Sequence, residues 1–256
     1  MIESPIRSWI ERDGAPLRAR LARPKANVID RAMMKVLREV FDAHRGARDL
    51  KAVLLDHEGP HFSFGASIQE HMPDQLVGML DELHLLLTTI LEYPVPVLVS
   101  VQGRCLGGGL ELAISGSMIF AAADASFSQP EIQLAGFAPA ASCILPDRVG
   151  QARAEELLLS GRVVDAEEAL RIGLVQHVST SPEQAALDWV DTHLVPKSAV
   201  ALRLALNASR QEFARRVVDR FAVVEKLCAE ELVRTDDMRE GMTAFLEKRQ
   251  PVWHNH

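Results

Sequence analysis

Gly103-Arg-Cys-Leu-Gly-Gly-Gly-Leu-Glu-Leu112 is a glycine-rich turn set between two apolar runs. Ahead of it lies Val95-Pro-Val-Leu-Val-Ser-Val101, a short β-branched run with the signature of a buried strand. Behind it, Leu110, Leu112, Ala113 and Ile114 open a buried helix. Three consecutive glycines cost backbone entropy and make poor helix. At a strand-to-helix turn they leave the backbone bare, and the first N–H groups of a helix have no intrahelical partner and favour negative charge. Gly107 to Gly109 therefore suit an anion or a developing oxyanion, with Glu111 close enough to share the site. Tight packing of a helix start against a strand is the other reading of the same residues.

Strand and helix patterns alternate outward from this turn. Residues 4–22 read as a hairpin about Asp13-Gly14, and Ile29 to Phe41 have helical spacing. Residues 51–56 form a short buried strand, and a loop rich in Gly, Pro, His and Phe follows over 57–67. A long helix runs from Leu76 to Ile90 and stops before Tyr93-Pro94. Beyond the turn, the helix spans 107–116, and 118–122 and 125–128 read as strands. Residues 135–146 are small and apolar, punctuated by Pro139 and Pro146. A helix over 151–159 closes at Gly161. Asp165 with Glu168 makes an N-cap pair, and Gly173 ends that helix before a strand at 174–178. From Ser181 only helices are read: one opened by Ser181-Pro182, then 197–206, 212–234 and 236–248. The predicted organisation is an α/β core of βαβ units over residues 1–180 and a helical region over 181–256.

The bulk properties exclude several classes. The 256 residues carry a net charge of −7 and no basic cluster, which argues against a nucleic acid or an anionic membrane as partner. Cys105, Cys143 and Cys228 are too scattered for a disulfide framework, and no His-Glu-x-x-His or Cys-x-x-Cys is present, so no metal site is expected. No apolar run is long enough to span a bilayer, and Met1-Ile-Glu-Ser-Pro-Ile-Arg7 lacks a charged-then-apolar leader; a cytoplasmic protein is expected. Gly107 to Leu112 lacks the third glycine of a dinucleotide fingerprint, and Gly65-Ala-Ser-Ile68 is not a nucleophile elbow. The nine histidines are scattered and read as surface or satisfied core residues.

Two carboxylates stand out. Glu111 follows the glycines, and Glu131 follows Gln129-Pro130 at the end of a strand. Each lies in apolar company, which makes ionisation costly and raises the pKa. Two carboxylates sharing a pocket are driven apart in pKa, as an acid and a base acting together require. Surface positions at a helix start and in a loop are the alternative.

Phe62-Ser-Phe-Gly-Ala-Ser-Ile68, the 103–112 turn and Phe127-Ser-Gln-Pro-Glu-Ile132, in this order, resemble the crotonase (enoyl-CoA hydratase/isomerase) superfamily. Arg23-Pro-Lys25, Leu159-Ser-Gly161 and Asp236-Asp-Met-Arg-Glu-Gly-Met242 with Phe245-Leu-Glu-Lys-Arg249 extend the match over nearly the whole chain. The resemblance implies a spiral of ββα units over 1–180 bearing a CoA-ester site. It implies that the 181–256 helices cover that site and assemble the chain as a homotrimer or a dimer of trimers. It implies an acyl-CoA substrate and no separate cofactor, since coenzyme A is part of the substrate. The oxyanion hole would be the N–H groups of Ala66 and Gly108; Glu111 would activate water and Glu131 would protonate the α-carbon. Lys25 matches a region that lines the CoA phosphates, and Phe64, Ser67, Ile68 and Phe137 are carried over as substrate contacts.

The chain also departs from the common pattern. Ser67 follows Ala66 where an Asp is usual, Ser115-Gly-Ser117 replaces another Asp, and Ala135 to Cys143 replaces a glycine-rich loop. Phe62, Phe64 and Phe137 with Met72 are expected to shape a pocket for a compact ring. Residues 62–71 and 137–145 look most like the branch of the family that hydrates cyclohexa-1,5-diene-1-carbonyl-CoA. A short-chain 2-enoyl-CoA hydratase, another acyl-CoA isomerase or hydrolase, and a catalytically idle binding protein are the competing readings.

Overall fold

The computed structural model describes residues 4–11, 15–72 and 74–256. The Asp13-Gly14 turn lies outside the described residues. A six-stranded sheet has the order β1-β2-β3-β4-β6-β9. Its strands are β1 (Ile6–Ile10), β2 (Leu17–Leu21), β3 (Val53–His57), β4 (Val97–Val101), β6 (Met118–Ala122) and β9 (His177–Ser179). β1 and β2 are antiparallel with Ile6 opposite Leu21, and the other pairs are parallel, in register Leu17–Val53, Val53–Val97 and Leu98–Met118. A second, three-stranded layer joins β5 (Arg104–Leu106), β7 (Ser126–Ser128) and β8 (Val164–Asp165).

The chain climbs by repeating one unit: a long strand, a short stretch in the second layer, then a helix. β4 leads through β5 to α3 (Gly108–Ser115), and β6 leads through β7 to α4 (Pro139–Val149). β3 leads through Ser63, which bridges Cys105, to α2 (Leu76–Leu91). This is the ββα spiral. Period-two alternation divides each strand between two cores. Val97, Val99 and Val101 join the main core with α1 (Arg31–His44) and α2, while Leu54, Leu98 and Phe120 face α7 (Pro182–His193) through Leu187 and Val190.

Two expectations are corrected. The segment 135–146 contains the start of helix α4, although it shows no helical periodicity and carries Pro146 inside. Pro146 cannot donate to the Ser142 carbonyl one turn back. Arg220 donates to it instead, at 3.3 Å. The two helices read at 197–206 and 212–234 are one helix, α8 (Ala199–Lys226), continued by a π turn (Leu227–Glu231) and a 3₁₀ turn (Leu232–Arg234). No glycine or proline interrupts it, so the polar stretch from Asn207 to Gln211 stays helical. The remaining helices are α5 (Gln151–Ser160), α6 (Ala166–Arg171), capped by the Asp165 side chain on Glu168 N–H, and α9 (Asp236–Glu247). None of the described helices is long and apolar enough to cross a membrane.

Candidate active site

The three glycines do three different things. Gly107 has φ +51°, and a Cβ on it would lie 2.5 Å from Glu131 Oε1, so its missing side chain is the space that Glu131 occupies. Gly108 opens α3, and a Cβ on it would lie 3.1 Å from the Ala66 nitrogen. Gly109 packs on Ser63. Tight packing and an open backbone therefore coexist in one turn. The Gly107 N–H is spent on Ser128 O at 2.9 Å, so of the expected donors it is unavailable.

Ala66 and Gly108 present converging donors. Ala66 bridges Ile29 in parallel fashion, with Gly65 O accepting from Ile29 N–H and Ser67 N–H donating to Ile29 O. In such a pairing the central residue's own N–H faces the other way. The Gly108 N–H is the first of a helix and has no intrahelical acceptor. Among the described residues neither N–H has a protein hydrogen-bond partner.

The two carboxyls lie beside these donors. Glu111 is 3% exposed on α3, and its Oε1 accepts from Ala141 N–H, in the first turn of α4, at 2.9 Å. Burial pushes its carboxyl above the usual range, opposed by the Ala141 and Ala140 amides. Glu131 sits in a 3₁₀ turn (Pro130–Leu134). Desolvation, and then the charge of Glu111, push Glu131 up further. With its amide nitrogen turned to Glu131, Gln129 donates to Oε2 at 3.1 Å and Oε1 at 3.2 Å. Burial of both carboxyls, and the charge of Glu111 on Glu131, oppose ionisation of the two together, while α4's N-terminal amides favour the charged form of Glu111.

One cavity brings these groups together. It encloses about 750 Å³ of space free of protein atoms, part of it open to solvent. Phe64, Ala66, Ile68, Gly108, Glu111, Glu131 and Phe137 all line it. Four of the expected residues do not. Phe62 is fully buried in the core beside His57, and Met72 packs on the core. Ser67 turns its hydroxyl to Gln69 Oε1 at 3.1 Å, and Lys25 is exposed in a left-handed turn, both outside the cavity wall. The sequence reading missed His71, the α2 residues Leu76, Met79, Leu80 and Leu83, and Cys228, Leu232, Met238 and Met242 from the C-terminal helices. Their spacing marks only buried helix faces; nothing in it says that the face borders a cavity.

The family model described as enoyl-CoA hydratase/isomerase matches residues 14–256. The chain belongs to this family. It is 54% identical over 252 residues to cyclohexa-1,5-dienecarbonyl-CoA hydratase of Thauera aromatica, covering 98% of each chain. It is 32% identical over 236 residues to mitochondrial methylglutaconyl-CoA hydratase of Rattus norvegicus, covering 88% of this chain and 74% of that one. Among solved structures, an enoyl-CoA hydratase from Mycobacterium avium subsp. paratuberculosis K-10 matches with a TM-score of 0.82 at 25% identity, over 98% and 99% of the two chains. One from Bacillus halodurans shares the fold, with a TM-score of 0.87 at 20% identity over 94% and 100%. The chain is thus a hydro-lyase of the enoyl-CoA hydratase type, acting on an α,β-unsaturated CoA thioester.

Proposed function

We propose that this hydratase adds water to cyclohexa-1,5-diene-1-carbonyl-CoA. The observation that carries this reading is the near full-length identity of 54% to the Thauera aromatica enzyme of that name. An apolar cavity with two raised-pKa glutamates beside two unpartnered amides supports the chemistry.

In this reading the thioester oxygen accepts from Ala66 and Gly108 N–H. A water lies between Glu111 and Glu131. The water's proton passes to the Glu111 carboxylate as its oxygen bonds to the β-carbon. The displaced π pair moves to the thioester oxygen, where the two amides stabilise the charge; one such donor is worth about 3–4 kcal/mol. Glu131 then returns a proton to carbon: to the α-carbon of a simple enoyl thioester, or to the far end of the conjugated diene. The diene case leaves one conjugated ring alkene and a ring hydroxyl, a 6-hydroxycyclohexenoyl-CoA. Phe64, Ile68 and Phe137 hold the acyl part. Lys25, and Ser67 through the turn it stabilises, serve the CoA side of the site outside the cavity wall.

Residues 1–180 form the spiral core in this reading, and 181–256 cover the site and assemble a homotrimer or a dimer of trimers. Cys228, Leu232, Met238 and Met242 in the wall support the covering role. Val200, Leu204 and Val223, each more than half exposed on α8, support assembly. Turnover of crotonyl-CoA, cyclohexenoyl-CoA and cyclohexadienoyl-CoA, with products identified by mass, tests the reading. Hydration fastest on the diene is expected; release of free CoA from all three would contradict it.

A further inference from the structure

Two arginines converge on the C-terminal end of α3. Arg148, in the last turn of α4, donates through Nη2 to Ile114 O at 2.7 Å and also to Gly116 O. Arg210 of α8 donates through Nη2 to the hydroxyl of the next residue, Ser117, at 2.7 Å. That hydroxyl also accepts from Val97 N–H at 2.9 Å. Neither guanidinium has a carboxylate partner among the described residues, and the adjacent Asp147 is paired with Arg216. Arg148 Nε and Arg210 Nη1 are buried without a hydrogen-bond acceptor. Arg210 is no outward-facing cation. It lies on the face of α8 that carries Ala214, Val217 and Phe221 into the core, at i+4, i+7 and i+11. Burial, and then the charge of Arg148, push its pKa down to about 10.

The surroundings offset this charge only in part. The Ile114 and Gly116 carbonyls, at the negative end of α3, suit one cation, and the Phe213 ring centre lies 5.5 Å from the Arg148 guanidinium. Arg210 has only the neutral Ser117 hydroxyl. Ser117 belongs to the Ser115-Gly-Ser117 segment that stands in place of an Asp, so no acid is supplied there. Both arginines and Ser117 line a groove with about 1020 Å³ free of protein atoms, part of it open to solvent. Among the described residues it shares no lining residue with the acyl cavity. Arg148 Nη1 and Arg210 Nε also lack a protein acceptor and, unlike the two buried nitrogens, keep contact with solvent. We propose that the Arg148–Arg210 pair binds a small oxyanion, a phosphate or a carboxylate, at the end of α3 and away from the acyl cavity. The anion supplies the charge and the acceptors that the chain itself lacks there, and it ties α3 and α4 to α8. The site is independent of which acyl group the enzyme hydrates.

The test measures urea unfolding midpoints in inorganic phosphate and in acetate, each against chloride at equal ionic strength. It uses the unaltered protein, Arg210→Met and Ser117→Asp. At least one of the two anions is expected to raise the midpoint of the unaltered protein saturably, and which one acts separates a phosphate ligand from a carboxylate. Calorimetric titration of that anion is expected to show binding at least about tenfold weaker in Arg210→Met. Ser117→Asp builds a carboxylate in beside the pair. Its midpoint in chloride should move towards that of the unaltered protein with anion, and added anion should raise it little further. No response to either anion in the unaltered protein overturns the proposal. A response of equal size in all three proteins also overturns it, since the anion then acts elsewhere. If Arg210→Met does not fold, the comparison with Ser117→Asp decides alone.

Discussion

Glu131 occupies the space where Gly107 has no side chain. Gly107→Ala would place a Cβ 2.5 Å from Glu131 Oε1 at a φ of +51°. Moving a reacting group by about an ångström costs about 100-fold, and a loss of that order in kcat with folding retained is expected from steady-state assays. Glu111→Gln and Glu131→Gln should each lower kcat by about 10²–10⁴-fold with little change in ligand affinity. The pH–rate profile of the unaltered enzyme should be a bell with both limbs above the ordinary carboxylate value of about 4.3. It rises as Glu111 loses its proton and falls as Glu131 loses its own; Glu131→Gln should abolish the alkaline limb. The same shift acts on stability. Folding raises the Glu131 pKa, so the native state binds the proton more tightly, and stability falls as pH rises from the unfolded value through the native one. Glu131→Gln should therefore be more stable than the parent at about pH 8, by about 1–2 kcal/mol, with the gap closing towards about pH 4 in urea melts. Glu111, Glu131, Ala66 and Gly108 were legible as residue types in glycine-rich or apolar settings. His71 was not, because a lone histidine carries no sign of which way its ring faces.

Helices α3 and α4 are tied into one unit beside the cavity. Glu111 of α3 reaches the first turn of α4, and Arg148 in the last turn of α4 donates to Ile114 O at 2.7 Å, and also to Gly116 O, at the end of α3. The sequence shows α3 clearly and hides α4, since small residues and two prolines break any periodic stripe. Its evidence is tertiary: Arg220 replaces the hydrogen bond that Pro146 cannot make. β5 and β8 were equally hidden, because β5 lies inside the stretch read as a glycine-rich turn and β8 has only two residues. α9 bears on the site through Gly241, where a Cβ would overlap the Leu134 carbonyl in the turn that carries Glu131. Gly241→Ala must push α9 off that turn. It should cost about 1–3 kcal/mol by chemical denaturation and raise KM, as the Met238 and Met242 wall retreats.

At the scale of the whole molecule, a buried charge network ties the sheet to α7. Arg18, 1% exposed, and Asp56, 2% exposed, are paired. Arg20 Nε meets Asp56 Oδ1 at 2.7 Å, and Glu183 of α7 accepts from Arg18 at 2.8 Å. Asp56→Ala takes the one fully buried carboxylate from Arg18 and Arg20 but leaves Arg18 its pairs with Glu11 and Glu183, so it should cost about 1–3 kcal/mol in denaturant unfolding. The spiral itself was legible from the alternation of strands and helices together with the family motifs. A C-terminal cover was expected from the family resemblance, but its wall residues were not, because Cys228 and Leu232 reach the cavity through π and 3₁₀ turns inside what reads as one helix over 212–234. The central claim is hydration of a cyclic dienoyl thioester by a two-glutamate site. Its most direct test is turnover of cyclohexa-1,5-diene-1-carbonyl-CoA in H₂¹⁸O by the unaltered protein and by Glu131→Gln, with products resolved by mass. The account predicts a hydroxycyclohexenoyl-CoA carrying one ¹⁸O, formed faster than hydrated crotonyl-CoA and suppressed at least about 100-fold in the variant. An unchanged diene, free CoA as the only product, or a fully active Glu131→Gln would contradict it.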